Sequence, residues 1–140
     1  MERPGRVEGK VAIVTGGATG IGRGMCEVLA REGARVVIAG RSEPRGREAE
    51  AAIRASGGEA LFVRTDVSRE EDCCALVVAA EAAFGGVDAL VNNAGIFPRA
   101  TLEETTSELW DEIFAVNLKG AFYCCKYAVP AMRRRGGGCI

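Results

Sequence analysis

A glycine-rich turn, Thr15-Gly16-Gly17-Ala18-Thr19-Gly20-Ile21-Gly22, joins the apolar run Val11-Ala12-Ile13-Val14 to a segment with helical periodicity. A strand that turns this tightly into a helix needs glycines for positive φ and for close backbone approach. The first turn of such a helix leaves unpaired amide N–H groups converging on one spot, and the macrodipole adds partial positive charge there. A turn of this kind cradles a phosphate through backbone geometry, without a basic side chain. The helix that follows is predicted to bury Ile21, Met25, Val28 and Leu29, which share one face.

Short apolar runs then alternate with longer periodic ones, the rhythm of βαβ units. Val36-Val37-Ile38-Ala39, Leu61-Phe62-Val63 and Ala89-Leu90-Val91 read as the second, third and fourth strands. Helices are predicted from about Ser42 to Ser56 and from about Ser68 to Phe84, each closed by a Gly-Gly pair. Ser68 with Glu71 forms a capping-box pattern, and Thr105 with Glu108 forms another before a periodic segment from about Thr106 to Arg135. That segment places Trp110, Ile113, Phe114, Ala121, Cys124 and Ala128 on one face, and Pro130 is expected to kink or loosen its end. Gly138-Cys139-Ile140 reads as the start of a fifth strand. Parallel strands with helical crossovers form a sheet covered on both faces, and ligands bind outside the carboxyl ends of its strands.

Composition narrows the chemistry. The 140 residues contain no histidine, which excludes Ser-His-Asp triads, histidine general bases and most familiar zinc sites; no metal site is expected. Cysteines at 26, 73, 74, 124, 125 and 139 show no C-x-x-C spacing and are expected to be buried thiols rather than a disulfide framework. A net charge of −1 argues against a nucleic-acid surface. Arg133-Arg134-Arg135 before Gly136-Gly137-Gly138 reads instead as a helix C-terminus, where cations complement the dipole. With no apolar leader and no apolar run long enough for a span, the reading is a soluble, cytoplasmic protein without a membrane partner.

Read as Thr-Gly-x-x-x-Gly-x-Gly, with Gly16, Gly20 and Gly22, the turn resembles that of the short-chain dehydrogenase/reductase family. Asn92-Asn93-Ala94-Gly95 after the fourth strand matches the family's second signature. The resemblance implies an NAD(P)-binding Rossmann-type α/β fold with a doubly wound parallel sheet. Here it is incomplete, with about four strands plus the start of a fifth. It implies cofactor contacts by Gly16, Thr19, Gly20, Ile21 and Gly22, and by Asn93, Ala94 and Gly95, with the Asn-Asn-Ala-Gly segment also stabilising the central sheet. Asp66-Val67 stands where the family has an aspartate beside the adenine ring, though Asp66 also reads as a turn residue.

The second strand ends Ala39-Gly40-Arg41-Ser42, with no carboxylate before Glu43 to bind a ribose 2′-hydroxyl. Arg41 is suited to a 2′-phosphate and Ser42 adds a hydroxyl, so NADP is favoured over NAD; the alternative is a solvated loop arginine. Asn117 lies on the apolar face of the long helical segment and must find partners. It makes a structural hydrogen bond, or, as the resemblance implies for Phe114-Ala115-Val116-Asn117-Leu118-Lys119-Gly120, it anchors a water in the catalytic proton relay, and one residue can do both.

The resemblance also implies a catalytic Ser and a Tyr-x-x-x-Lys, which the family places after the fifth strand. Neither tyrosine imitates the motif: Tyr123 and Lys126 are three apart, and Tyr127 is followed at i+4 by Ala131. The chain thus corresponds to about the N-terminal half of the family's length, with residues 1–9 as an N-terminal arm and 10–140 as a partial dinucleotide-binding domain. The implied activity is hydride transfer between NAD(P) and a small alcohol or ketone, 3-oxoacyl reductase-like or sugar/polyol dehydrogenase-like. A complete chain is expected to be a homo-oligomer, and this one to be inactive alone. The alternatives are a non-catalytic dinucleotide-binding or interaction module and an unstable truncated product.

Overall fold

The computed structural model describes residues 5–140. Four strands, β1 (Val11–Thr15), β2 (Arg35–Gly40), β3 (Glu59–Arg64) and β4 (Ala89–Val91), form one parallel sheet in the order β3-β2-β1-β4. β1 pairs with β2 from Val11↔Arg35 to Thr15↔Ala39 and with β4 from Ala12↔Ala89 to Val14↔Val91. The chain therefore reverses its direction of travel across the sheet between β1 and β4, creating a switch point at their carboxyl ends. β3 extends beyond the predicted Leu61–Val63 because β2 offers pairing partners along its full length, Arg35 to Gly40. Cys139 makes a single parallel bridge to Ala89, continuing the sheet past β4 where a fifth strand was expected.

Both faces of the sheet are covered, which explains why its strands read as continuous apolar runs. Val14, Val36, Ile38, Ala60 and Phe62 pack with α1 (Gly20–Arg31) and α2 (Glu43–Ala55) on one face. Val11, Ile13, Val37 and Leu90 pack with α3 (Glu70–Phe84) and α5 (Gly120–Arg135) on the other. Residues 5–9 form turns held on the α1–β2 connection, where the Val7 N–H donates to Glu32 and the Gly9 N–H to Gly33; residues 1–4 of the expected arm lie outside the described residues.

Several local expectations are revised. The buried face of α1 is Gly22, Cys26 and Ala30, whereas Ile21, Met25 and Val28 face outward and Leu29 is half-buried. Only small residues let this helix sit close to the sheet, so the bulkier apolar side chains are displaced from the contact. α3 starts at Glu70, two residues after Ser68, whose hydroxyl donates to Asp66 instead of closing a capping box. α4 (Ser107–Phe114) is capped by Thr106, not Thr105, through a hydrogen bond accepted from the Leu109 N–H. Trp110 and Phe114 stack on each other on the exposed side. A π-helical turn, Ala115–Lys119, joins α4 to α5. α5 runs through Pro130 to Arg135 because Ala128, Ala131 and Met132 anchor the residues on both sides of the proline in the core.

Arg134 pairs with Glu81 at 2.8 Å and Arg135 with Asp88 at 3.2 Å, so two of the three terminal arginines of α5 are engaged within the fold. Cys26, Cys73 and Cys124 are buried, Cys74 and Cys125 half-buried. Cys139 is exposed, contrary to expectation, because its segment touches the sheet only at the β4 edge. Among the described residues, no helix is long and apolar enough to cross a membrane.

Candidate functional site

The carboxyl ends of β1, β2, β3 and β4 open into a cleft of about 510 Å³. β1 delivers Gly16 and the turn beyond it, in which Gly16 and Gly20 have positive φ of 64° and 54°. A Cβ on Gly16 would lie 2.9 Å from the Asn93 amide nitrogen, and one on Gly22 would lie 2.2 Å from the Gly16 carbonyl oxygen. The turn is therefore folded against both the start of α1 and the segment after β4, and neither position has room for a side chain.

Thr15, which sequence reasoning passed over as a site residue, is the hub of this arrangement. Its buried hydroxyl donates to the Val91 carbonyl at 3.3 Å and accepts from the N–H groups of Asn93 and Ala94, both at 3.0 Å. Asn93 reciprocates: its side-chain amide donates to the carbonyls of Thr15 at 3.0 Å and Gly16 at 3.3 Å. These bonds satisfy backbone groups that the sheet leaves open at its switch point and hold the glycine turn and the Asn-Asn-Ala-Gly segment together. The signal in the sequence was a hydroxyl closing an apolar strand, since a buried hydroxyl must find partners. Asn92, by contrast, is exposed and reaches the Cys125 sulfur at 3.4 Å, so the sheet-stabilising amide is Asn93.

Eight residues proposed from sequence line the cleft: Gly16 and Thr19 from the turn, Arg41 and Ser42 after β2, Asp66 and Val67 after β3, and Ala94 and Gly95 after β4. Gly20, Ile21 and Gly22, in the first turn of α1, do not line the cleft; Gly22 is buried, and Gly20 and Ile21 are exposed. Asn93 supports the wall from behind through the bonds just described. Arg45, absent from the sequence reading, adds a second cation beside Arg41. Glu43 is committed to Arg47 and Asp66 accepts from Ser68, and neither Arg41 nor Arg45 forms an ion pair among the described residues. Its four-residue spacing from Arg41 was the available clue, obscured by the change from loop to helix between them.

Asp66 is at once a wall and a turn residue. Its carboxylate accepts from the Ser68 N–H at 3.0 Å and hydroxyl at 2.6 Å. Partial burial pushes the carboxyl pKa upward, but the two Ser68 donors and the nearby Arg41 and Arg69 outweigh it and hold Asp66 below its ordinary value. The site thus presents an ionised acceptor between cations.

Asn117 sits in the π-helical turn, outside the lining of the cleft but against Gly95 and Ile96, which belong to it. Its Oδ1 accepts from the Ile96 N–H at 2.8 Å and its Nδ2 donates to the Ile96 carbonyl at 2.9 Å. This two-way clamp fixes the strand-like segment after Gly95 against the helix; the π turn admits the extra residue that aims the amide at Ile96. The partners expected of an amide at this position are thus the backbone groups of Ile96.

Residues 10–140 match the family described as short chain dehydrogenase. The chain belongs to that family. It is 43% identical over 133 residues to an uncharacterized oxidoreductase of Thermotoga maritima, covering 95% of this chain and 52% of that protein. It is 42% identical over 136 residues to a cyclopentanol dehydrogenase of Comamonas sp., covering 97% and 54%. It is also 42% identical over 135 residues to a 2,5-dichloro-2,5-cyclohexadiene-1,4-diol dehydrogenase of Sphingobium indicum, covering 96% and 54%. The chain spans about half the length of these relatives. Membership in the short-chain dehydrogenases brings with it a nicotinamide dinucleotide as the family's cofactor and an oxidoreductase reaction class.

Proposed function

We propose that this chain is the dinucleotide-binding half of an NADP-dependent alcohol or ketone oxidoreductase, residues 10–140 forming the partial cofactor domain. The observation that carries the reading is the pairing of Arg41 and Arg45 in one cleft with the glycine turn. The turn's amides suit a pyrophosphate at the start of α1, and the two uncommitted guanidiniums with Ser42 suit a further phosphate at the end of β2. The fit of the dinucleotide rests on this donor set and on the turn, whose Gly16 packs without a Cβ against Asn93 and Ala94 and so holds the turn's backbone at the cleft. Asp66 and Val67 are assigned to the base, Asp66 as acceptor from an exocyclic amine. Ala94 and Gly95 are assigned to the wall beyond it.

Bound here, the nicotinamide would supply or accept hydride. The chain's own residues position and orient: Thr15 and Asn93 hold the turn, and Asn117 fixes Ile96. No side chain identified in the cleft serves as the proton partner of an alcohol, and the family's Ser and Tyr-x-x-x-Lys have no counterpart in these 140 residues. The chain alone is therefore assigned binding without turnover. The names of two relatives, dehydrogenases of cyclopentanol and of a chlorinated cyclohexadienediol, support a small secondary alcohol as the complete protein's substrate. The exposed run of Trp110, Phe114, Leu118 and Phe122 supports a homo-oligomer for that complete protein.

Titration of the purified chain with NADPH and NADH by fluorescence or calorimetry tests the reading. NADPH is expected to bind at least about tenfold more tightly, a difference of about 1.4 kcal/mol. Arg41→Asp is expected to reverse the order, by removing a cation and adding a carboxylate suited to a ribose hydroxyl. An unchanged preference in that variant would remove Arg41 from the site, and absence of binding to either nucleotide would remove the cofactor assignment. Turnover of an alcohol by the 140-residue chain would overturn the division between binding and chemistry.

A further inference from the structure

α3 and α5 each carry an adjacent pair of cysteines, Cys73-Cys74 and Cys124-Cys125. Where the two helices meet, the Cys124 thiol donates toward the Cys73 sulfur with 3.6 Å between the sulfurs. The Cys73 thiol in turn lies 3.5 Å from the Val67 carbonyl, as donor. Both cysteines are buried in the core, with Val67 and Ala128 in the same cluster. Among the described residues, no group of three or more His, Cys, Asp or Glu residues could hold a metal ion.

Facing thiols at this separation, 51 positions apart in sequence, are arranged across a contact rather than along one helix. The sulfurs need to close by about 1.5 Å to reach disulfide length, a movement within reach of side-chain rotation and a small helix adjustment. We propose that Cys73 and Cys124 form an oxidisable dithiol whose disulfide ties α3 to α5 behind the Val67 wall of the cleft. This assignment stands on the helix contact and is independent of which nucleotide the cleft holds.

The hydrogen bond from Cys124 favours the thiolate of Cys73, lowering its pKa, while the same bond and burial raise that of Cys124. Cys73 is accordingly the first sulfur to react, and a small hydroperoxide reaching it during local opening of the helix contact is the oxidant. The Cys73 thiolate attacks the peroxide, an S–O bond forming as the O–O bond breaks and the alcohol or water leaves with a proton. The Cys124 sulfur then attacks the resulting sulfenic acid; the S–S bond forms, the S–O bond breaks, and hydroxide leaves with the Cys124 proton as water. Two thiols lose two electrons in total and one hydroperoxide gains them. The disulfide has no S–H, so the Val67 carbonyl also loses its thiol donor.

Treatment of the chain with hydrogen peroxide, followed by denaturation, alkylation and peptide mass mapping, tests this assignment. Exposed Cys139, oxidised in the same sample, reports that the oxidant was effective. The expected result is a cross-linked pair of tryptic peptides, 70–99 with 120–126, reversed by a thiol reductant. The double variant C74A/C125A must retain the cross-link, while C73A and C124A must each lose it with far-ultraviolet circular dichroism unchanged. Full alkylation of both peptides once Cys139 is oxidised would overturn the proposal. So would loss of the cross-link in a folded C74A/C125A protein, which would assign it to the outer pair.

Discussion

A single hydroxyl fixes the geometry of the cleft. Thr15 is 1% exposed and its oxygen serves one acceptor and two donors at the junction of β1 with the segment after β4. Thr15→Val keeps the shape and removes the oxygen, leaving the Asn93 and Ala94 N–H groups without it. The expected cost is about 1–3 kcal/mol, read as a lower urea midpoint, together with weaker dinucleotide binding. Thr15→Ser retains the oxygen and should recover most of the binding, an outcome that a packing role for the methyl group would not give. At this scale the sequence was legible where a residue's chemistry is local: the glycines of the turn, the cation at Arg41 and the short carboxylate at Asp66. It was opaque where the role depends on a partner some 78 positions away, as for Thr15, whose bond with Asn93 only the fold supplied. Asn117 lies between these cases, since an amide on the apolar face demanded a partner but only the fold supplied Ile96.

Helices show what periodicity resolves and what it misses. The existence of α2 and α3 follows from their apolar spacing and the glycines that close them, although neither N-terminus has a side-chain cap bond; the burial of α1 does not follow, because hydrophobicity alone ranks Ile21 above Gly22. The sheet instead requires closeness, and a Cβ on Gly22 would be 2.5 Å from the Asn93 amide as well as against the Gly16 carbonyl. Gly22→Ala should therefore destabilise the chain by about 1–3 kcal/mol through overpacking. Ile21→Ser, at a position 76% exposed, should change stability by less than about 0.5 kcal/mol. Equal effects of the two substitutions in chemical denaturation would contradict the observed orientation of α1. The π turn was likewise invisible to a search for 3.6-residue spacing, as one inserted residue shifts the face without breaking the apolar pattern.

At the scale of the whole molecule, parallel strands and two covered faces followed from the alternation of short apolar runs with helices. The position of β4 on the far side of β1 did not, because strand order depends on which crossover packs on which face. Asp88 marks how that order is secured. Its carboxylate accepts from the Val11 N–H at 2.8 Å at the start of β1 and pairs with Arg135 at the end of α5, while its own backbone precedes β4. Partial burial pushes this carboxyl upward, but the Val11 N–H and the Arg135 guanidinium prevail and hold its pKa below the ordinary aspartate value. Because the folded pKa is depressed, the stabilisation is fully present above the unfolded value of about 3.9 and is lost as pH falls through the lower folded value. Asp88→Asn removes the charge while keeping a hydrogen-bond acceptor. At neutral pH it should lower stability by about 1–2 kcal/mol, the scale of a part-buried charge-assisted hydrogen bond. Urea midpoints measured from pH 7 downward should then converge, the parent chain losing its advantage below about pH 4 as Asp88 takes up its proton. Parallel curves across that range would assign the acid sensitivity to other carboxylates and reduce Asp88 to an ordinary strand-end residue.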